Sequence, residues 1–321
     1  MKNLTRRTAL RVLAACASVP ITAMAMRSVR QHIEPVSWQG QALGGLAGLT
    51  LWSTDPNRAK RTLIQVQAEV ARLERVFSLH RTDSEIAQLN QVGQIHHPSP
   101  DLRFVLEEAL RVAEVSKGSF DPTVQALWRL YVSGVRPTTQ QLEDALKAVD
   151  YAAISLNRRQ IRLDRKNMAI TLNGIAQGHI TDRVTELLGN AGFENAVIQL
   201  GETRALGASP DGDPFPISIV DPDSPDRLVG SLALANAALS VSGGYGHQFD
   251  ASGMHHIFDP TTGRSAESLK QVIVTARTAI SADVLSTAIY VCGEEHAQSV
   301  LLADAGAHAV LTRKDGSTVA Y

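Results

Sequence analysis

Ala153-Ile154-Ser155-Leu156, Gln160-Ile161-Arg162-Leu163 and Met168-Ala169-Ile170-Thr171-Leu172 follow one another closely, separated by polar turn residues. Short apolar runs joined in this way predict antiparallel strands. Working outward, the period changes. From Asn57 to Phe77 the apolar positions Leu63, Val66, Val70, Leu73 and Phe77 recur at three and four, which predicts an amphipathic helix. Ser99-Pro100 opens a second helix with a cap followed by proline, carrying the stripe Leu102, Val105, Leu106, Ala109 and Val112. Thr138 and Thr139 start a third, through Leu142 to Val149. Downstream, a helix is expected over Ala176 to Leu188, ended by Gly189-Asn190, then strands at Ala196 to Leu200, Ile217 to Val220, Leu228 to Ala235 and Val272 to Thr275. Ser281 to Val291 gives the last strong helix. Strands and helices do not alternate strictly, so the fold class is α+β, with mixed, largely antiparallel sheets and packed helices, not a doubly wound parallel sheet.

The chain has 321 residues, 44% hydrophobic and 20% charged, an ordinary globular composition that excludes disordered, collagen-like and coiled-coil classes. Its net charge of −1 provides no field that would favour nucleic acid. With only Cys16 and Cys292, no disulfide scaffold or cysteine-built metal site is available, so any metal must rely on oxygen or histidine ligands.

Residues 1–25 have the pattern of a twin-arginine signal peptide. Thr5-Arg6-Arg7-Thr8 precedes a charge-free run from Val12 to Met26, and Ala23-Met24-Ala25 supplies an A-x-A cleavage site. The run falls short of the roughly 20 residues a membrane-spanning helix needs, so removal is expected, not anchoring. The mature domain is then 26–321, a single unit in the periplasm. A lipoprotein box at Leu13-Ala14-Ala15-Cys16, giving a lipid anchor at Cys16, is the alternative.

No G-x-G-x-x-G, phosphate loop, G-x-S-x-G or H-E-x-x-H occurs. Polar clusters stand instead at element ends. Asp283 and Thr287, four apart on the last helix, put a carboxylate and a hydroxyl on one face. Such a pair suits Mg²⁺; it also suits a helix start, with Asp on the dipole and Thr bonding its own backbone. His256 and Asp259 lie in His255-His256-Ile257-Phe258-Asp259-Pro260-Thr261-Thr262-Gly263. They could form a general base with its carboxylate, or a turn that Asp259 caps. Adjacent His255 and His256 diverge on a strand, which argues against zinc. Asn173-Gly174-Ile175-Ala176-Gln177-Gly178, with Asp182 beyond, offers glycine backbone and a helix N-terminus to a phosphate, or simply a tight turn. Trp128 and Tyr131 suit stacking on a planar ligand or packing in the core. Cys292 is expected to be a small buried hydrophobe.

Taken in order, these clusters resemble the ApbE-type FAD:protein FMN transferase family over almost the whole mature chain. The motifs are Phe77-Ser78-Leu79-His80-Arg81-Thr82-Asp83-Ser84-Glu85 with Leu89-Asn90, Phe120-Asp121-Pro122-Thr123-Val124, Asn173 to Gly178 with Asp182, and Leu200-Gly201-Glu202. Ser242-Gly243 with Tyr245, His256-Ile257-Phe258-Asp259-Pro260 with Thr262-Gly263, and Ala282-Asp283 with Ser286-Thr287-Ala288 complete the series. The resemblance implies an ApbE-like fold that binds FAD as substrate, uses Mg²⁺, and transfers FMN to a Thr or Ser hydroxyl of an acceptor protein, releasing AMP. It implies metal positions at Asp283, Thr287 and the Ala176 carbonyl, and His256 as base with Asp259 holding it or the turn. Ser78, His80, Glu85, Asp121, Thr123, Gly174, Gln177, Gly178, Asp182, Glu202, Ser242 and Gly243 are the expected FAD-site residues.

The chain departs from the family pattern in three places. Gln177 stands where many members have Lys, His80 where many have Tyr, and Leu200-Gly201-Glu202 carries one glycine where many show two. With Phe77-Ser78-Leu79, Val124-Gln125-Ala126-Leu127-Trp128 and the twin-arginine start, these variants resemble the NosX branch that serves nitrous-oxide reduction, implying a membrane-bound electron-transfer protein as acceptor. The rival expectations are an exported FAD carrier and an FAD pyrophosphatase that makes no protein adduct.

Overall fold

The computed structural model describes residues 33–250 and 253–321. The twin-arginine segment, its cleavage site and Cys16 lie outside the described residues. Strands β1 (Glu34–Ala42) and β2 (Gly45–Ser53) pair antiparallel across the Leu43–Gly44 turn. Helix α1 (Pro56–Phe77) starts at Asp55, whose side chain accepts from Arg58 N, with proline at its first position. It buries Leu63, Val66, Val70, Leu73 and Phe77, the stripe expected from the sequence. Helix α2 (Glu85–Val92) is capped by Ser84 and ends at Gly93, in the left-handed region at φ 80°. Strand β3 (Gln94–His96) leads to α3 (Pro100–Val115), whose Ser99 cap accepts from Leu102 N.

Helices α4 (Gln125–Tyr131) and α5 (Thr139–Leu146) pack together, the second opened by a capping box between Thr138 and Gln141. Strands β4 (Ile154–Leu156) and β5 (Gln160–Leu163) form a hairpin that β3 completes as a three-stranded sheet, in the order β3-β5-β4. The expected third strand, Met168–Leu172, is not a strand. Its backbone is buried, but Ile170 N and O bond to the Asn90 side chain and Thr171 N bonds to Pro122 O, so no neighbouring strand is paired with it.

Helix α6 (Asn173–Asn190) precedes strands β6 (Ala196–Gln199), β7 (Thr203–Leu206), β8 (Phe215–Asp221), β9 (Ser224–Leu234), β10 (Ala238–Ser242) and β11 (Leu269–Ala276). Helices α7 (Ala279–Cys292) and α8 (Glu294–Leu301) and strands β12 (His308–Arg313) and β13 (Thr318–Ala320) finish the chain. The main sheet runs β1-β2-β6-β7-β10-β11-β12-β13, antiparallel throughout, while β8 and β9 pair only with each other.

Helix α7 is apolar on nearly every side because it is enclosed by α6, β10 and β11. Its buried residues include Val284, Leu285 and Ile289, but also Asp283 and Ser286. Burying a carboxylate in such a helix is costly unless something answers its charge. Among the described residues, no helix is long and apolar enough to cross a membrane.

Candidate active site

Helices α6 and α7 touch backbone to backbone. A Cβ on Gly178 would lie 2.4 Å from the Ala279 carbonyl oxygen, so only glycine permits this approach. Gly178 N donates to Asp283 Oδ2 at 2.9 Å, fixing the carboxylate beside the first turn of α6, where Ala176 and Gln177 lie. One turn further along α7, Thr287 packs beside Gly174, where a Cβ would come within 3.2 Å of its hydroxyl oxygen. Behind it the hydroxyls of Ser240, Ser286 and Ser242 are linked at 2.8 Å each, and Ser242 Oγ lies 3.4 Å from Thr287 Oγ1.

Several of these groups line a cleft of about 320 Å³. Asn173, Gly174 and Gln177 of α6, Asp283 and Thr287 of α7, Ser242 and Gly243 after β10, Glu202, Asp121 and His256 all face it. The two groups on which the sequence expectation depends, Asp283 and His256, therefore share one cavity. The lining contains three carboxylates and no lysine or arginine. Burial raises the pKa of Asp283, opposed by the Gly178 N–H. Burial also raises Glu202 well above its ordinary value, and repulsion from Asp283 adds to it. Asp121 is raised by burial too, against hydrogen bonds from Thr123.

Buried carboxylates without a cationic side chain fit a divalent cation, which takes one or two carboxylates together with neutral oxygens. Asp283 and Thr287 fit that donor set with a carboxylate and a hydroxyl on one cleft, whereas Ala176 and Gly178, also expected at the site, are buried in α6 and are not among the cleft-lining residues. The described residues contain no group of three or more His, Cys, Asp or Glu side chains placed to hold a metal, so any such site here combines at most two of them with neutral oxygens.

His255 and His256 diverge as expected. His255 is buried, with Nε2 at 3.0 Å from Ala266 O, while His256 faces the cleft with Nδ1 at 3.2 Å from His247 O. Burial depresses the His256 pKa to about 4, so the ring is neutral at pH 7 and able to accept a proton at Nε2. Asp259 does not orient it. Its oxygens accept from Thr261 N at 2.8 Å, Thr261 Oγ1 at 2.6 Å and Thr262 Oγ1 at 3.0 Å, which is the turn-capping role.

A sequence profile described as the ApbE family matches residues 46–311. The chain belongs to the ApbE family. It is 31% identical over 252 residues to a protein of Vibrio cholerae named FAD:protein FMN transferase, covering 73% of this chain and 75% of that one. A protein of the same name from Haemophilus influenzae is 28% identical over 299 residues, covering 87% and 86%. Among solved structures, the flavin transferase ApbE from Vibrio cholerae superposes with a TM-score of 0.80 at 26% identity, covering 90% of this chain and 97% of that one. The ApbE protein from Thermotoga maritima also gives 0.80, at 25% identity and 89% and 96% coverage. The α+β architecture described above is thus the ApbE fold.

Not every residue carried by the family motifs faces the cleft. The Ser78 hydroxyl receives His80 N at 3.3 Å, and Ser78 O receives the Ser84 hydroxyl at 2.6 Å, holding the turn between α1 and α2. His80 is exposed beside Gly44, next to the cleft residue Leu43. Glu85 accepts from Ser99 N at 2.9 Å. Thr123 is fully buried between Asp121 and Asp150 N. Asp182 caps the start of α7, accepting from Ala279 N and Ile280 N. Gln177 lies across Gly201, where a Cβ would come within 2.4 Å of its side chain.

The cleft also has walls that sequence reasoning did not assign. Phe120, Tyr245 and Phe258 line it. Trp128 does so too, whereas Tyr131 packs in the core against Phe258 with ring centroids 5.6 Å apart. Each of the three unassigned rings stands inside a quoted motif, so motif membership was the available signal. Cys292 is half-buried, and burial pushes its thiol up to about 11, consistent with an inert side chain.

Proposed function

We propose that this chain is an FAD:protein FMN transferase, and that it works with Mg²⁺. The observation that carries the proposal is the charge of the cleft. Three carboxylates and no basic side chain line a cavity flanked by Gly174 and Gly243, in a protein whose named relatives act on FAD. Burial holds these carboxyl groups towards their neutral form and no basic side chain stands beside them, so nothing in the lining answers the charge of a diphosphate until a cation is bound, ionising Asp283 as it binds. Asp283, Thr287 and the Ala176 carbonyl are the residues that would hold Mg²⁺, which supplies neutralisation of the phosphate charge when bound.

The chain's own residues account for the rest. The glycine-flanked backbone at Gly174 and Gly243 lets the dinucleotide approach closely, and Phe120, Trp128 and Tyr245 offer faces to its ring systems. His256, neutral at pH 7, takes the proton from the acceptor's Thr or Ser hydroxyl. The hydroxyl oxygen bonds to the phosphorus of the FMN half, the bridging P–O bond breaks, and the electron pair leaves with AMP. Gln177, neutral where many members have Lys, leaves more of the charge stabilisation to the cation.

The test is to incubate the mature protein with FAD, Mg²⁺ and a threonine-bearing acceptor domain, then measure the acceptor by mass spectrometry and the supernatant for AMP. An FMN adduct with one AMP per adduct is expected. AMP without adduct would make the chain a pyrophosphatase, and bound FAD with neither product would make it a carrier. Export by the twin-arginine route to the periplasm belongs to the same proposal, as does a membrane electron-transfer protein of nitrous-oxide reduction as acceptor. Support comes from Arg6-Arg7 and from the Gln177, His80 and Gly201 variants. Unchanged export after Arg6→Lys with Arg7→Lys would reject the route, and an unmodified electron-transfer partner in cells that make this protein would reject the acceptor.

A further inference from the structure

Asp182 is 6% exposed and does not line the cleft, although it belongs to the same motif as Gly174 and Gly178. Its carboxylate receives two backbone donors from another helix, Ala279 N at 2.8 Å and Ile280 N at 2.9 Å. These are orphan amides of the first turn of α7, which that helix cannot satisfy itself. The local cap is poor: Thr278 Oγ1 reaches only Ser281 N, at 3.4 Å. Arg204 of β7 pairs with the same Asp182 carboxylate. Among the described residues its buried Nε has no hydrogen-bond partner, so Asp182 is the contact that holds it.

The arrangement is reciprocal. Gly178 and Asp182, four apart on α6, share one face. Gly178 gives its amide to the α7 carboxylate Asp283, and Asp182 gives its carboxylate to the α7 amides one turn earlier. The two helices are therefore pinned at two points along their length. A slip of α7 by one residue would move Asp283 by about 1.5 Å along the axis. That is several times the roughly 0.2 Å within which metal–oxygen distances must fall.

We propose that Asp182, held by Arg204, is a positioning residue that fixes the register of α7 against α6 and so sets Asp283 and Thr287 for the divalent cation. The proposal rests on the metal-dependent function given above. It also replaces the sequence expectation that Asp182 touches FAD.

The experiment compares the parent protein with Asp182→Asn. Mn²⁺ affinity is measured by electron paramagnetic resonance, FAD affinity by flavin fluorescence in EDTA, and amide exchange at Ala279 and Ile280 by mass spectrometry. Asparagine keeps the size but has one acceptor oxygen for two donors and no charge for Arg204. Mn²⁺ binding is expected to weaken by about 10-fold or more. Exchange at the two amides should quicken, FAD affinity in EDTA should be unchanged, and raised Mg²⁺ should restore transfer. If Asp182→Asn does not fold, Arg204→Met, which retains the carboxylate, is expected to weaken Mn²⁺ binding in the same direction. Equal Mn²⁺ affinities in variant and parent, or lost FAD binding with Mn²⁺ affinity intact, would overturn the positioning role. A parent protein that binds no Mn²⁺ would remove the metal-dependent function itself.

Discussion

His256 has one ring nitrogen tied to a backbone carbonyl and the other turned to a cavity shared with Asp283. Its pKa lies near 4 because burial disfavours the imidazolium. The sign follows from linkage: between pH 4 and the ordinary value near 6.5, the unfolded chain binds a proton that the folded chain does not. Stability contributed at this residue is therefore full above pH 6.5 and is lost as pH falls towards 4. An NMR titration of the His256 ring is expected to show no protonation between pH 8 and 5.5. A midpoint near 6.5 would contradict the burial argument. His256 was legible in the sequence from its motif, and so was its divergence from His255. Of the two roles the sequence left open for Asp259, holding the ring or capping the turn, the second is the one found: it lies in an Asp-Pro-Thr-Thr-Gly turn whose own hydroxyls and amides satisfy it. His247, which does hold the ring, lies nine residues upstream and interacts through its carbonyl, which side-chain identity cannot reveal.

The pair α6 and α7 decides the geometry of the site, and their contact rests on one missing side chain. A methyl at Gly178 would meet backbone at Ala279 and Ile280, which cannot rotate away as a flexible side chain would. Gly178→Ala is expected to destabilise the protein by about 3 kcal/mol, the upper end of ordinary overpacking, as a lower urea midpoint with the slope unchanged. A midpoint equal to the parent's would mean that the helices part without cost. Both helices were legible from sequence, since their apolar spacing is regular, but their ends were less so. α6 is bounded at Asn173, but Gly174 at φ −85° and ψ 18° is non-helical and kinks it, so the regular helix runs on from Ile175, beside the expected start at Ala176. Strands β1 and β2 gave little signal. β1 lies at the sheet edge with most side chains exposed or half-buried, and glycines at 40, 44, 45 and 48 interrupt any alternation. Met168–Leu172 gave a false signal because buried apolar residues at alternate positions do not reveal where the backbone hydrogen bonds go.

At the scale of the molecule, an eight-stranded antiparallel sheet and the enclosed helix α7 bring together segments from residue 43 to residue 291 around one acidic cleft. Length, composition and the motif order indicated an α+β chain of this kind. They could not indicate the charge balance of the cavity, which appears only when Asp121, Glu202 and Asp283 meet without a lysine or arginine among them. From that imbalance it follows that FAD binds measurably without metal but more tightly when a divalent cation accompanies its diphosphate. The direct measurement is a flavin-fluorescence titration of FAD into the metal-stripped protein, with and without Mg²⁺, at fixed ionic strength. FAD is predicted to bind at least about 10-fold more tightly with Mg²⁺, equivalent to 1.4 kcal/mol or more. Equal affinity in Mg²⁺ and in EDTA would mean that no cation bridges the diphosphate to this cleft.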